Sequence, residues 1–116
     1  MMANILGMNI EQNMPTVDEA RKVLIARLKE AQQSGVAVLK ITHGYGSSGQ
    51  GGALRAALRS SLLRRKKEGS VTSIVFGENW SIFESVTRDA LERFPELRRD
   101  RDLDRCNNGI TIVFLR

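Results

Sequence analysis

Val36-Ala37-Val38-Leu39-Lys40-Ile41-Thr42 runs without a break into His43-Gly44-Tyr45-Gly46-Ser47-Ser48-Gly49-Gln50-Gly51-Gly52. The first seven residues are short, apolar and β-branched, which reads as a buried strand. The segment that follows carries glycine at 44, 46, 49, 51 and 52. From Ala53 the pattern turns helical, with Leu54, Leu58, Ser61 and Leu62 facing inward. Strand, glycine loop and helix in that order are the building unit of an α/β domain.

The flanks repeat the alternation. Residues 3–11 read as a weak first strand. Pro15 precedes Thr16-Val17-Asp18-Glu19, a capping box in which the threonine oxygen accepts from the Glu19 amide and Glu19 reaches back. Val17, Ala20, Leu24, Leu28 and Ala31 continue at helical spacing, and Gly35 supplies the stop. Downstream, Gly69 closes the second helix and Val71 to Phe76 is a third strand. Ser81-Ile82-Phe83-Glu84 looks like a second capping box. It opens a helix with Ile82, Val86, Ala90 and Phe94 on one face, closed by Pro95. Residues 96–108 form a charged connection, and Ile110 to Leu115 is the last strand, introduced by Asn107-Asn108-Gly109. The order β-α-β-α-β-α-β predicts one two-layer α/β domain over residues 1–116 with a four-stranded mixed sheet.

The 116 residues suffice to bury a core without disulfide or metal, and the single Cys106 reads as a lone thiol of a reducing compartment. No apolar run approaches the roughly 20 residues of a membrane span, so no membrane partner is expected. The start lacks a signal-peptide pattern, which places the protein in the cytoplasm. Charge is unevenly spread. Between Ala31 and Lys67 there is no acid, while Lys40, Arg55, Arg59, Arg64, Arg65, Lys66 and Lys67 make that stretch +7 of a net +5. The remainder is therefore −2. A concentrated positive segment favours a polyanion partner.

The chemistry of the glycine loop agrees. Glycine allows positive φ and close approach of a phosphate. The first amides of the following helix lack internal partners and carry the positive end of the dipole, so backbone alone can form an anion site. Ser47 and Ser48 add hydroxyls and His43 a ring donor. Arg55, Arg59 and Lys66 fall within about 40° of one another at 100° per residue, which puts cations beside the loop. Three sharper motifs fail. Gly44-Tyr45-Gly46-Ser47-Ser48-Gly49 matches the dinucleotide fingerprint, but the acid it needs about 20 residues on is missing, Glu78 coming too late. A nucleoside-triphosphate loop would need Lys and Ser/Thr where Gln50 and Gly51 stand. The run Asp100-x-Asp102-x-Asp104 lacks the glycine and glutamate of a calcium loop.

His43-Gly44-Tyr45-Gly46 with Leu54-Arg55, Gly109-Ile110-Thr111-Ile112-Val113, and Thr16-Val17-Asp18-Glu19-Ala20 together resemble the small MutS-related (Smr) domain family. The likeness covers roughly residues 9–76 and 108–115. It implies a fold like the C-terminal domain of translation initiation factor three, binding of DNA or RNA and, in some members, endonuclease cleavage. Where the family opens Leu-Asp-x-His-Gly, this chain has Ile10-Glu11-Gln12-Asn13-Met14. Glu11 keeps a carboxylate, but Asn13 cannot exchange a proton near neutral pH. Binding is therefore expected ahead of cleavage. The binding residues are His43, Gly44, Tyr45, Gly46, Ser47, Ser48, Gly49, Gly51, Arg55, Arg59 and Lys66. Were the chain a nuclease, Glu11 and His43 would be its acid–base pair and a divalent cation such as Mg2+ its cofactor; otherwise no cofactor is expected. His43 reads equally as a loop-holding residue, and Tyr45 as a base-stacking ring or a loop anchor. Residues 77–106 look like an insertion. Exposure of Trp80, Phe83 and Phe94 there would mark a surface for a protein partner.

Overall fold

The computed structural model describes residues 4–11, 15–44 and 51–116. Its strands are β1 (Ile5–Asn9), β2 (Val38–Thr42), β3 (Ser73–Phe76) and β4 (Ile110–Phe114). They form one sheet in the order β1-β2-β4-β3. β1 runs parallel to β2, while β4 is antiparallel to both β2 and β3. The helices are α1 (Val17–Gln33), α2 (Gly51–Glu68) and α3 (Ser85–Arg93), with 3-10 turns at Gly77–Asn79 and Pro95–Arg99.

The sequence signals for α1 hold atom by atom. Thr16 Oγ1 accepts from Glu19 N at 3.2 Å, and Glu19 Oε1 accepts from Thr16 N at 3.0 Å. Such a cap stabilises a helix by about 1 kcal/mol. The helix buries Ala20, Leu24, Leu28 and Ala31, and α2 buries Leu54, Leu58 and Leu62. Both stripes pack with Leu39, Ile41 and Val113 on one face of the sheet. Because strand side chains alternate, Val38, Ile110, Ile112 and Phe114 point to the other face. There they meet Trp80, Ala90, Leu91 and Leu97. The α/β class and the four-stranded mixed sheet are as expected. The segment after β3 covers the second face of the sheet.

That segment departs from its sequence reading in detail. α3 starts at Ser85, and Glu84, its N-cap, makes no side-chain capping bond. Ser81 Oγ instead accepts from Phe83 N at 3.2 Å, and Asp104 Oδ1 takes Ile82 N at 2.9 Å. These bonds hold Ser81-Ile82-Phe83-Glu84 in a turn. Ile82 and Val86 are left exposed, and the helix buries Thr87, Ala90 and Leu91. The charged connection is also tied down. Trp80 is fully buried and its Nε1 donates to Asp100 Oδ2 at 2.9 Å. From β2, Lys40 Nζ reaches Asp100 at 2.7 Å and Asp102 at 2.5 Å. Burial pushes the Asp102 carboxyl up, but hydrogen bonds from Lys40 and Asn107 outweigh it and hold the group below its ordinary value.

Candidate nucleic-acid interface

β2 ends at Thr42, and the chain passes through His43 and Gly44 towards α2. The backbone amides of His43 and Gly44 both donate to Gly109 O, at 2.9 and 3.0 Å, which pins this corner to the entry of β4. Gly44 has φ +80°, a left-handed conformation that favours glycine. A Cβ placed on it would lie 2.1 Å from Glu11 Oε2. The Glu11 carboxylate therefore lies over Gly44, and the fold brings the ends of β1 and β2 together.

His43 is completely buried. Its Nδ1 lies 2.7 Å from Gly44 O and its Nε2 lies 2.8 Å from Thr111 Oγ1. A carbonyl only accepts, so Nδ1 carries the proton. Thr111 Oγ1 also accepts from Arg59 Nε at 3.1 Å, so its own hydroxyl proton is directed at His43 Nε2. Burial is the main reason the ring pKa falls from 6.5 to about 4, opposed by the Gly44 carbonyl and assisted by Arg59 and Arg55. At neutral pH the imidazole is uncharged, with both nitrogens engaged inside the protein. As placed, it braces the exit of β2 against β4; neither the phosphate contact nor the acid–base role expected of it has a free ring nitrogen here.

Arg59 corrects the sequence reading most sharply. The helical spacing placed it beside Arg55 and Lys66 on an open cationic face, yet it is only 9% exposed. Nη1 and Nη2 donate to the two carboxylate oxygens of Glu78, each at 2.7 Å. Nη2 also donates to Ile110 O at 3.0 Å, and Cζ lies 4.2 Å from the Phe76 ring centroid. The Arg59 hydrogen bonds hold the Glu78 carboxyl below its ordinary value. The guanidinium is thus satisfied by the protein's own groups, because the exit of β3 delivers Glu78 and the entry of β4 delivers carbonyls to this side of α2.

Arg55 is half-buried in the second turn of α2, near enough to His43 and Glu78 for its charge to lower both their pKa values. Lys66 is exposed at the far end of the helix, where it lines a cavity with Leu63 and Val86. The expected trio therefore does not form one open face. Gly51 begins α2, whose first turn carries no acidic residue. Tyr45, Gly46, Ser47, Ser48 and Gly49 lie outside the described residues, as do Gln12, Asn13 and Met14. Thr111 and Glu78 are the residues that sequence reasoning missed. Thr111 lies in the Gly-Ile-Thr-Ile-Val strand and Glu78 just past β3, but nothing in one dimension pairs them with Arg59.

The three aromatics proposed for a partner surface separate. Trp80 is buried, Phe94 stacks on Phe114 with centroids 5.8 Å apart, and Phe83 alone of the three stands out, 86% exposed. Among the described residues no group of three His, Cys, Asp or Glu side chains could hold a metal ion, and no helix is long and apolar enough to cross a membrane.

The Smr domain family model matches residues 12–76. Among solved structures, the Smr domain of Thermus thermophilus MutS2 is similar, with a TM-score of 0.56 and 24% identity over 98% of this chain and 99% of that one. No curated protein matches the chain. The matched stretch runs from Gln12, shortly after β1, to the end of β3, holds α1, β2, the glycine-rich segment and α2, and covers more than half of the 116 residues; the chain belongs to the Smr domain family.

Proposed function

We propose that the domain binds the sugar–phosphate backbone of nucleic acid at the end of the sheet where α2 begins. Smr domains are in general nucleic-acid-binding or nicking modules. The observation that carries the reading here is the start of α2. The helix follows the glycine loop directly, has no acid in its first turn, and places Arg55 one turn in. A helix N-terminus of this kind favours an anion, and a guanidinium beside it suits phosphate. Arg59 and Lys40 spend their charge internally, while Arg64, Lys66 and Lys67 on the same helix are exposed.

Filter binding of single- and double-stranded DNA and RNA over a salt series tests this. Three to five phosphate contacts give log K against log salt a slope of roughly −2 to −4.5. Arg55→Ala should weaken binding to all sequences alike, since phosphate contacts carry little sequence information. A flat salt response refutes the proposal.

Strand cleavage is the second reading, and the Glu11 carboxylate over Gly44 is its support. Labelled RNA and DNA, with and without Mg2+, should then be cut by the wild type and spared by Glu11→Gln. Cutting that survives this substitution removes Glu11 from the chemistry.

A further inference from the structure

We propose that the furrow between α1 and α2 is a track for the phosphodiester backbone of the bound nucleic acid. It rests on the nucleic-acid reading above and gives it a contact surface away from the glycine loop. The furrow exists because α2 presents small side chains towards α1. Ala57, Ser60, Ser61, Arg64 and Arg65 recur at the spacing of one helix face, and alanine and serine leave the space above them unfilled. The result is a cavity of about 250 Å3 lined by these residues with Arg21 and Ile25. A second cavity of about 130 Å3 shares Ile25 and Arg65 with the first and adds Lys29, Gln32 and Ser70. The two cavities therefore lie side by side along the α1–α2 junction, with Ile25 and Arg65 as their common wall.

Their lining has four cations, Arg21, Lys29, Arg64 and Arg65, three serine hydroxyls and no carboxylate. Arg65 Nη1 donates to Ser61 O at 3.1 Å and to Ser61 Oγ at 2.8 Å, which holds the guanidinium along the groove. Arg64 and Lys29 have no ion pair with any described residue. Arg21 stands 3.5 Å from Asp18, but both side chains are largely exposed, and such a pair contributes little. Ile25, 41% exposed between the cations, offers an apolar contact for a sugar or base. Along α1, Arg21 to Gln32 spans about 16 Å at 1.5 Å per residue. That matches the rise of roughly five stacked nucleotides at about 3.4 Å each. The opposite side of the molecule is different. The larger cavity there, about 460 Å3, is lined by Asp89 and Glu92 beside Arg93. That cavity, with two carboxylates to one guanidinium, is the poorer match for a polyanion.

The test compares salt dependence of binding in the wild type, the double variant Lys29→Ala/Arg64→Ala, Arg55→Ala, and Arg98→Ala. Lys29, Arg64 and Arg98 are exposed, so these substitutions leave the core intact. Arg98 sits on the turn that packs against the other sheet face and controls for general charge. The double variant should reduce the slope magnitude by about 1.4 for single strands or about 1.8 for duplex, with Arg98→Ala unchanged. A double variant with the wild-type slope overturns the groove; if Arg55→Ala alone loses affinity, the groove falls while the parent reading stands. A wild type that binds none of the four polymers removes both.

Discussion

Replacing Arg59 by alanine separates a structural arginine from a ligand-binding one. The Glu78 carboxylate is 41% exposed in the folded protein, so it rehydrates when its partner is lost. That part of the change therefore costs only about 1 kcal/mol. Ile110 O and Thr111 Oγ1, with Asn108 O 3.3 Å from Nη2, lose a charged donor in a site that water enters poorly, which adds about 1–2 kcal/mol. The stem and its stacking on Phe76 contribute about another 1 kcal/mol. The expected loss is about 3 kcal/mol. At an unfolding entropy of about 2.1 cal/mol/K per residue, the melting temperature should drop by about 12 °C. Thermal and urea denaturation followed by tryptophan fluorescence read the two quantities directly, because Trp80 is the only tryptophan and is fully buried. Arg59→Lys keeps the charge but not the two-pronged fork and should recover less than half of the loss. An unchanged midpoint together with weakened nucleic-acid binding would refute the reasoning, since Arg59 would then be reaching outward to phosphate.

Proton NMR should show the only histidine titrating near pH 4; a midpoint near 6.5 would mean that His43 is not held as described. Because the unfolded chain takes up that proton first, the associated stabilisation is complete above about pH 6.5. It drains away as the pH falls towards 4, by about 3 kcal/mol in all, and urea midpoints across that window should be flatter in His43→Asn. Gly77→Ala should cost more than about 3 kcal/mol, as the new Cβ would meet Asn107 O at 1.8 Å; a soluble variant of wild-type stability would contradict the packing under β4. Asp100→Asn should lower stability by about 1–3 kcal/mol through its bonds to Trp80 and Lys40, again measured by urea unfolding, and an unaltered midpoint would show those contacts to be incidental.

Local signals carried most of the fold. The Thr16–Glu19 box, the Leu54, Leu58 and Leu62 stripe and the β-branched runs each depend on residues within a few positions, so sequence spacing suffices to see them. What stayed hidden depends on residues brought from afar. A helical projection puts Arg59 beside Arg55 but cannot show Glu78 arriving from the exit of β3. The acid-free stretch from Ala31 to Lys67 is acid-free only along the chain, since Glu78, Asp100 and Asp102 fold back onto Arg59 and Lys40. The Ser81-x-x-Glu84 pattern failed because Asp104, far along the chain, captures Ile82 N before a helix can. The α1–α2 furrow was invisible for the same reason, two of its cations lying on a different helix from the segment that attracted attention.

The central place of β4 also constrains the order of events during synthesis. Until Ile110–Phe114 arrives, β3 has no strand to pair with in this sheet, and β1 with β2 form an isolated two-stranded ribbon. Phe76 and Ile110 are 34 positions apart, a wait of about 2–7 s at the usual pace of translation. Throughout that interval the α1–α2 layer lacks only Val113 of the last strand, whereas Val75 of β3 lacks Ile110 and Ile112. The sheet therefore closes only when this buried keystone strand slots in between β2 and β3, and its amides should be among the last to exchange with solvent.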